Sequence, residues 1–160
     1  VGIVDIRAGE MISMILHRWL TFLVLIAAAS AASAADWVGP MPAVPARQSL
    51  DALLRANPLG RDQNIRVIPV QRGVHTTQVL VQVRDREPAH YHADSDITVL
   101  IVRGQGVIHI ADKQFPVKEG DVMFIPRKVV HYFVNRAKQP AAALVIYSPP
   151  PGPRDRVVLP

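Results

Sequence analysis

From Ile65 onward, hydrophobic and polar positions alternate with a period of two, the pattern of half-buried β-strands. The runs 65–70, 75–83, 97–102, 107–111, 115–117, 122–125, 131–134 and 142–147 are short and rich in Val, Ile or aromatic residues. Gly73, Pro88, Gly104, Gly106, Gly120, Pro126 and Pro140 punctuate them. Eight such runs, with no helix-length pattern between them, predict an all-β fold, an antiparallel sandwich or barrel. Parallel βαβ units are excluded by the same observation.

The period is different upstream. Leu50, Leu53 and Leu54 fall on one helical face behind Ser49, a favoured N-cap residue, and Pro58 and Gly60 stop the pattern. A short helix is expected there. Residues 36–46 carry Pro40, Pro42 and Pro45 and read as an extended arm. Residues 149–160 open on Pro149, Pro150, Pro151, Gly152 and Pro153 and read as a polyproline-like exit.

Residues 14–35 place His17 and Arg18 before an apolar run from Leu20 to Ala29, then small residues ending at Ala34 and Ala35. That order is expected of a secretory signal peptide cleaved near Ala34 or Ala35. The alternative is an uncleaved membrane anchor. Asp5 and Glu10 are out of place in such a leader, which suggests a start at Met14. The resulting organisation is a leader over 1–35, an arm and helix over 36–63, a β-barrel over 64–148 and a tail over 149–160. The expected location is the periplasm or the exterior, with membrane contact only through the leader.

The 160-residue length limits the chain to one ordinary domain. With no cysteine, disulfide scaffolds, thiolate metal sites and cysteine nucleophiles are excluded. The net charge is +5, but its basic residues are dispersed, which argues against nucleic-acid binding. Beyond the leader only Glu87 and Glu119 remain as glutamates, too few for a two-carboxylate glycosidase site. Several runs are apolar on both faces, as when a sheet is covered on both sides, so a homodimer is expected.

The chemistry lies in the histidines. His90 and His92 stand at i and i+2, a spacing that puts both rings on one face of a strand. His131 opens a later run behind Gly120 and Pro126. If the two strands are neighbours, three imidazoles can reach one ion, and imidazole suits Fe, Ni, Zn and Cu. His75 shares parity with Thr77, Val79 and Val81 and is a weaker inward candidate. His109 alternates with Ile108 and Ile110 and should face outward.

In these residues the chain resembles the cupins, most closely the small single-domain kind. Their first motif, G-x5-H-x-H-x3,4-E-x6-G, is matched by His90, His92 and Gly104. Their second, G-x5-P-x-G-x2-H-x3-N, is matched by Gly120, Pro126, His131 and Asn135. The resemblance implies a jelly-roll β-barrel and a divalent metal held by His90, His92, His131 and a carboxylate. Three positions depart from the pattern: Arg84 and Lys128 replace glycines, and Ile97 stands where the glutamate ligand belongs.

Asp96 is adjacent and would reach the site only through a one-residue bulge. Otherwise the site has three histidines, as in some cupin-like dioxygenases of thiols and diketones. The resemblance thus implies a metal-dependent oxygenase, or an isomerase or lyase, acting on a small organic molecule. Fe2+ is the first choice, with Mn2+, Ni2+ or Zn2+ as alternatives. The competing expectation is a metal-free periplasmic module that binds a small ligand or serves a structural role.

Overall fold

The computed structural model describes Arg47 and residues 49–160. The expected signal peptide and the Pro-rich arm up to Ala46 lie outside these residues. No helix among the described residues is long and apolar enough to cross a membrane.

The short helix α1 is Leu50–Ala56. Ser49 is extended and its side chain accepts a 3.4 Å hydrogen bond from the Ala52 amide, as an N-cap does. Asn57 closes the other end, its backbone and side-chain N–H groups both donating to the Leu53 carbonyl at 3.0 Å. Leu54 is buried against Ile68, Leu80 and Ala142, with Leu50 and Leu53 partly buried beside it.

Ten strands follow: β1 (Ile65–Arg72), β2 (Thr77–Val83), β3 (His90–His92), β4 (Asp96–Arg103), β5 (Gln105–Ile110), β6 (Lys113–Lys118), β7 (Val122–Ile125), β8 (His131–Asn135), β9 (Ala141–Ser148) and β10 (Arg156–Val158). They form two five-stranded antiparallel sheets, in the orders β1-β2-β9-β4-β7 and β10-β3-β8-β5-β6. The fold is the expected all-β jelly-roll barrel.

The core lies between the sheets. Val79 and Val83, Ile97, Val99 and Ile101, and Val145 face inward from the first sheet; Ile108, Val117 and Phe133 face them from the second. α1 covers part of the outer face of the first sheet. Val122 and Phe124, 61% and 63% exposed, lie on that face across from Leu100 and Thr98.

Gly106 shows how close the packing is around β8. A Cβ there would meet the Phe133 ring and the Val134 carbonyl at 2.3 Å, so only glycine fits. Lys128 stands at a cupin glycine position and has φ +65°, in the left-handed region. Its amide donates a 2.6 Å hydrogen bond to the His92 carbonyl, tying the turn before β8 to the end of β3.

Two expectations are corrected. The second strand begins at Thr77, and His75 is exposed in the preceding turn, because the chain folds back there with the Gly73 amide donating to the Thr76 carbonyl. The tail is not merely an exit. After Pro153 the chain returns as β10 and pairs with β3, placing Arg156 opposite His92 and Val158 opposite His90.

Candidate metal centre

β3 and β8 are neighbours, as the histidine argument requires, and His90 pairs directly with His131. Alternation along β3 buries His90 and His92 and leaves Tyr91 half-buried on the opposite face. The three rings converge. Their centroids are 5.4 Å apart for His90 and His92, 4.4 Å for His90 and His131, and 5.5 Å for His92 and His131. One ring nitrogen from each lies within 4.8 Å of the others.

The converging atoms are the Nε2 lone pairs, because every Nδ1 is already committed. His90 Nδ1 donates to the Pro88 carbonyl at 2.8 Å, and His131 Nδ1 donates to the Val129 carbonyl at 2.9 Å. His92 Nδ1 donates to the Asp155 carboxylate at 2.7 Å. A carbonyl can only accept, so these bonds fix the tautomer and orient each Nε2 as an acceptor.

Burial keeps the rings neutral. It pushes His90 down to about 3, assisted by the Arg156 charge, and His131 down to about 4. Burial also lowers His92, against the opposing pull of Asp155. Three neutral, pre-oriented imidazoles with inward lone pairs fit a divalent transition metal.

Asp96 is not among them. The irregularity in β4 falls between Ile101 and Arg103, at the far end from Asp96, so no bulge redirects the carboxylate. Alternation therefore buries Ile97 and turns Asp96 away. Asp96 instead accepts from the Arg127 guanidinium at 3.0 and 2.8 Å and from the Arg127 amide at 2.9 Å. These bonds hold its carboxyl down at about 2. Ile97 pairs with Ile125 on one side and with Tyr147 on the other. The position resembling the glutamate ligand is thus alkyl in structure as in sequence.

Sequence reasoning missed four residues around the site. Asp155 is buried, and besides His92 it accepts from the Asp94 amide at 2.8 Å and the Ser95 amide at 2.9 Å. Arg156 follows it on β10. Glu87 accepts from the Phe133 amide at 3.1 Å, and burial raises its carboxyl above the usual range. Only Glu87 left a local signal, three residues before His90 at the Pro88 bend. Tyr147 joins them from β9, its ring edge-on to His92 at 5.0 Å and its hydroxyl raised by burial.

Other residues have structural places. His109 stacks on Tyr132 at 4.2 Å, and Arg86 lies 4.4 Å over the same tyrosine ring. Asn135 fixes a turn, its Nδ2 donating to the carbonyls of Arg84, Ala137 and Gln139.

Comparison with known proteins agrees with this architecture. The family model described as "Cupin domain" matches residues 77–147. An uncharacterized protein of Aquifex aeolicus is 33% identical over 98 residues, covering 61% of this chain and 80% of the relative. Among solved structures, TT1209 from Thermus thermophilus superposes with a TM-score of 0.57 at 24% identity, covering 66% of this chain and 98% of that one. The Streptomyces protein Pac13, described as a nucleoside dehydratase, superposes with a TM-score of 0.52 at 21% identity, covering 60% of this chain and 78% of its own. The chain belongs to the cupin superfamily, as a single-domain member with three histidines arranged to bind a metal.

Proposed function

We propose that this protein is a metal-dependent enzyme acting on a small organic molecule, with the metal held by His90, His92 and His131. The donor set carries this reading: each Nδ1 is anchored and each Nε2 is buried facing the other two. Fe2+ is the first choice, with Mn2+, Ni2+ and Zn2+ suited to the same ligands. Such an ion supplies a Lewis acid and open coordination positions for substrate or oxygen.

The chain's own residues shape what happens there. Glu87, whose desolvation favours its protonated form, can hold a proton on the carboxyl that meets the Phe133 amide. Tyr147 keeps its hydroxyl proton and can donate a hydrogen bond. Ile97 and Phe133 line the barrel core and keep water out. An oxygenase is the first reading, because the ligands resemble the three-histidine sites of some cupin-like dioxygenases. Glu87 favours a lyase or isomerase as the second, and a cupin-fold neighbour is described as a dehydratase.

The test incubates Fe(II)-loaded protein with a panel of small organic acids, diketones and thiols. Oxygen uptake and products are followed together, beside a His90→Ala/His131→Ala variant. Turnover by the parent alone is expected. Turnover with oxygen uptake assigns an oxygenase, and turnover without it assigns a lyase or isomerase. Inertness of the loaded parent would favour a binding module.

We also read the protein as exported, on the leader at 14–35, and as a homodimer, on the exposed apolar Val122 and Phe124. Fractionation of cells and light scattering test these two points.

A further inference from the structure

Two oppositely charged residues of the C-terminal segment, Asp155 and Arg156, stand beside the histidines, and they differ in their partners. Asp155 is matched: His92 Nδ1, the Asp94 amide and the Ser95 amide all donate to it. Glu87 is driven by burial toward its neutral form. Arg156 is left over. It is the cross-strand partner of His92, so its side chain leaves β10 on the face that carries the histidines. Its positive charge acts on His90, His92, His131, Glu87 and Tyr147, which come from four different segments. Yet among the described residues the guanidinium takes part in none of the ion pairs, which join His92 to Asp155, Arg103 to Asp51, Lys118 to Asp121 and Arg127 to Asp96.

Ile97 sets the charge of the metal-loaded site. A site with a glutamate ligand would carry one more negative charge than three imidazoles do. With Ile97 there, Asp155 offsets Arg156, and the charge of a divalent ion on three neutral imidazoles is left uncompensated. A ligand that brings its own negative charge restores the balance.

We propose that Arg156 is the anchor for an anionic substrate, and that this site takes a small carboxylic acid whose carboxylate seats on the guanidinium beside the three histidines. A guanidinium presents parallel N–H donors that match a planar carboxylate in a bidentate pair. Malonate and phosphate carry similar negative charge at neutral pH, so a preference between them reads the planar carboxylate shape rather than charge alone. The proposal gives a substrate class to the metal site proposed above and rests on that reading.

The experiment measures anion binding to the Co(II)-loaded full chain by the cobalt visible spectrum and by calorimetry. The probes are malonate, acetate and inorganic phosphate. Malonate should bind the parent and shift the cobalt bands. Arg156→Met should weaken malonate at least tenfold at unchanged cobalt content, and Arg156→Lys should recover part of the loss. Equal malonate affinity in parent and Arg156→Met would overturn the proposal, as would phosphate binding more tightly than malonate. Failure of the parent to retain cobalt would instead refute the metal reading. Malonate titrated into the metal-free parent and Arg156→Met by calorimetry then still decides whether Arg156 binds the carboxylate.

Discussion

His92 and Asp155 are 63 residues apart in the chain, and their side chains meet at 2.7 Å inside the barrel. The contact makes the C-terminal segment part of the site. Asp155 holds the His92 ring by one oxygen and the backbone of Asp94 and Ser95 by the other. Removing it leaves those buried donors without a partner, and a hydrogen bond to a charged group contributes about 1.5–3 kcal/mol. Asp155→Ala should therefore destabilise the fold by at least ~2 kcal/mol in urea titrations. Asp155→Asn, which keeps an acceptor, should be milder on stability. Both should weaken metal binding by roughly 10–100-fold, the usual effect of losing a partner that orients a ligand. An unchanged metal affinity in both would mean that His92 needs no such support.

Ile97 makes a second, opposite prediction. It faces inward at the place that resembles the family's carboxylate ligand. Ile97→Glu should destabilise the metal-free protein by several kcal/mol, since it buries a carboxyl group without a partner (on the order of 2–7 kcal/mol). Metal should then raise the melting temperature more in Ile97→Glu than in the parent. An equal rise in both would place residue 97 out of reach of the ion.

Lys128 tests the backbone next to the site. A side-chain-bearing residue in the left-handed region costs about 1–2 kcal/mol, part of which glycine recovers. Lys128→Gly should stabilise the protein by about 1 kcal/mol and leave metal content unchanged. A loss of stability would show that the Lys128 side chain contributes more than its backbone strain.

The histidines also set a pH dependence for the metal-free protein. Their folded values lie below the ordinary 6.5, at about 3 for His90 and about 4 for His131. Between these values and 6.5 the unfolded chain binds more protons than the folded one. Stability should therefore be full above pH 6.5 and fall as pH drops toward 4, by on the order of 1 kcal/mol per pH unit for each histidine. Glu87 works the other way, since its folded value is raised above 4.5 and its contribution is lost as pH rises. Urea midpoints from pH 7.5 to 4.5 measure the balance. The double variant His90→Ala/His131→Ala should show a flatter profile, and an identical slope in the two proteins would refute the assignment.

The legible part of the fold was the part with enough residues to show a period. The alternation from Ile65 to Tyr147 located eight of the ten strands, and the Ser49–Leu54 pattern located the helix. β3 and β10 have three residues each, too few for alternation to register. β3 was nonetheless implied by the His90–His92 spacing, because two ligands on one face require a strand. β10 had no comparable clue, and the prolines before it suggested an exit. Asp155, Arg156 and the closing of the site were lost with it. The fate of Asp96 was undecidable from sequence, since Thr98, Leu100, Val99 and Ile101 are apolar enough to face either way. Packing decided it, by burying Ile97 and offering Asp96 the Arg127 guanidinium.

The most direct test of a three-histidine metal centre is elemental analysis of the untagged protein beside His90→Ala/His131→Ala. The prediction is near-stoichiometric Fe, Mn, Ni or Zn in the parent, and loss of that metal in a variant that still folds. A parent that stays metal-free after anaerobic reconstitution would contradict the account.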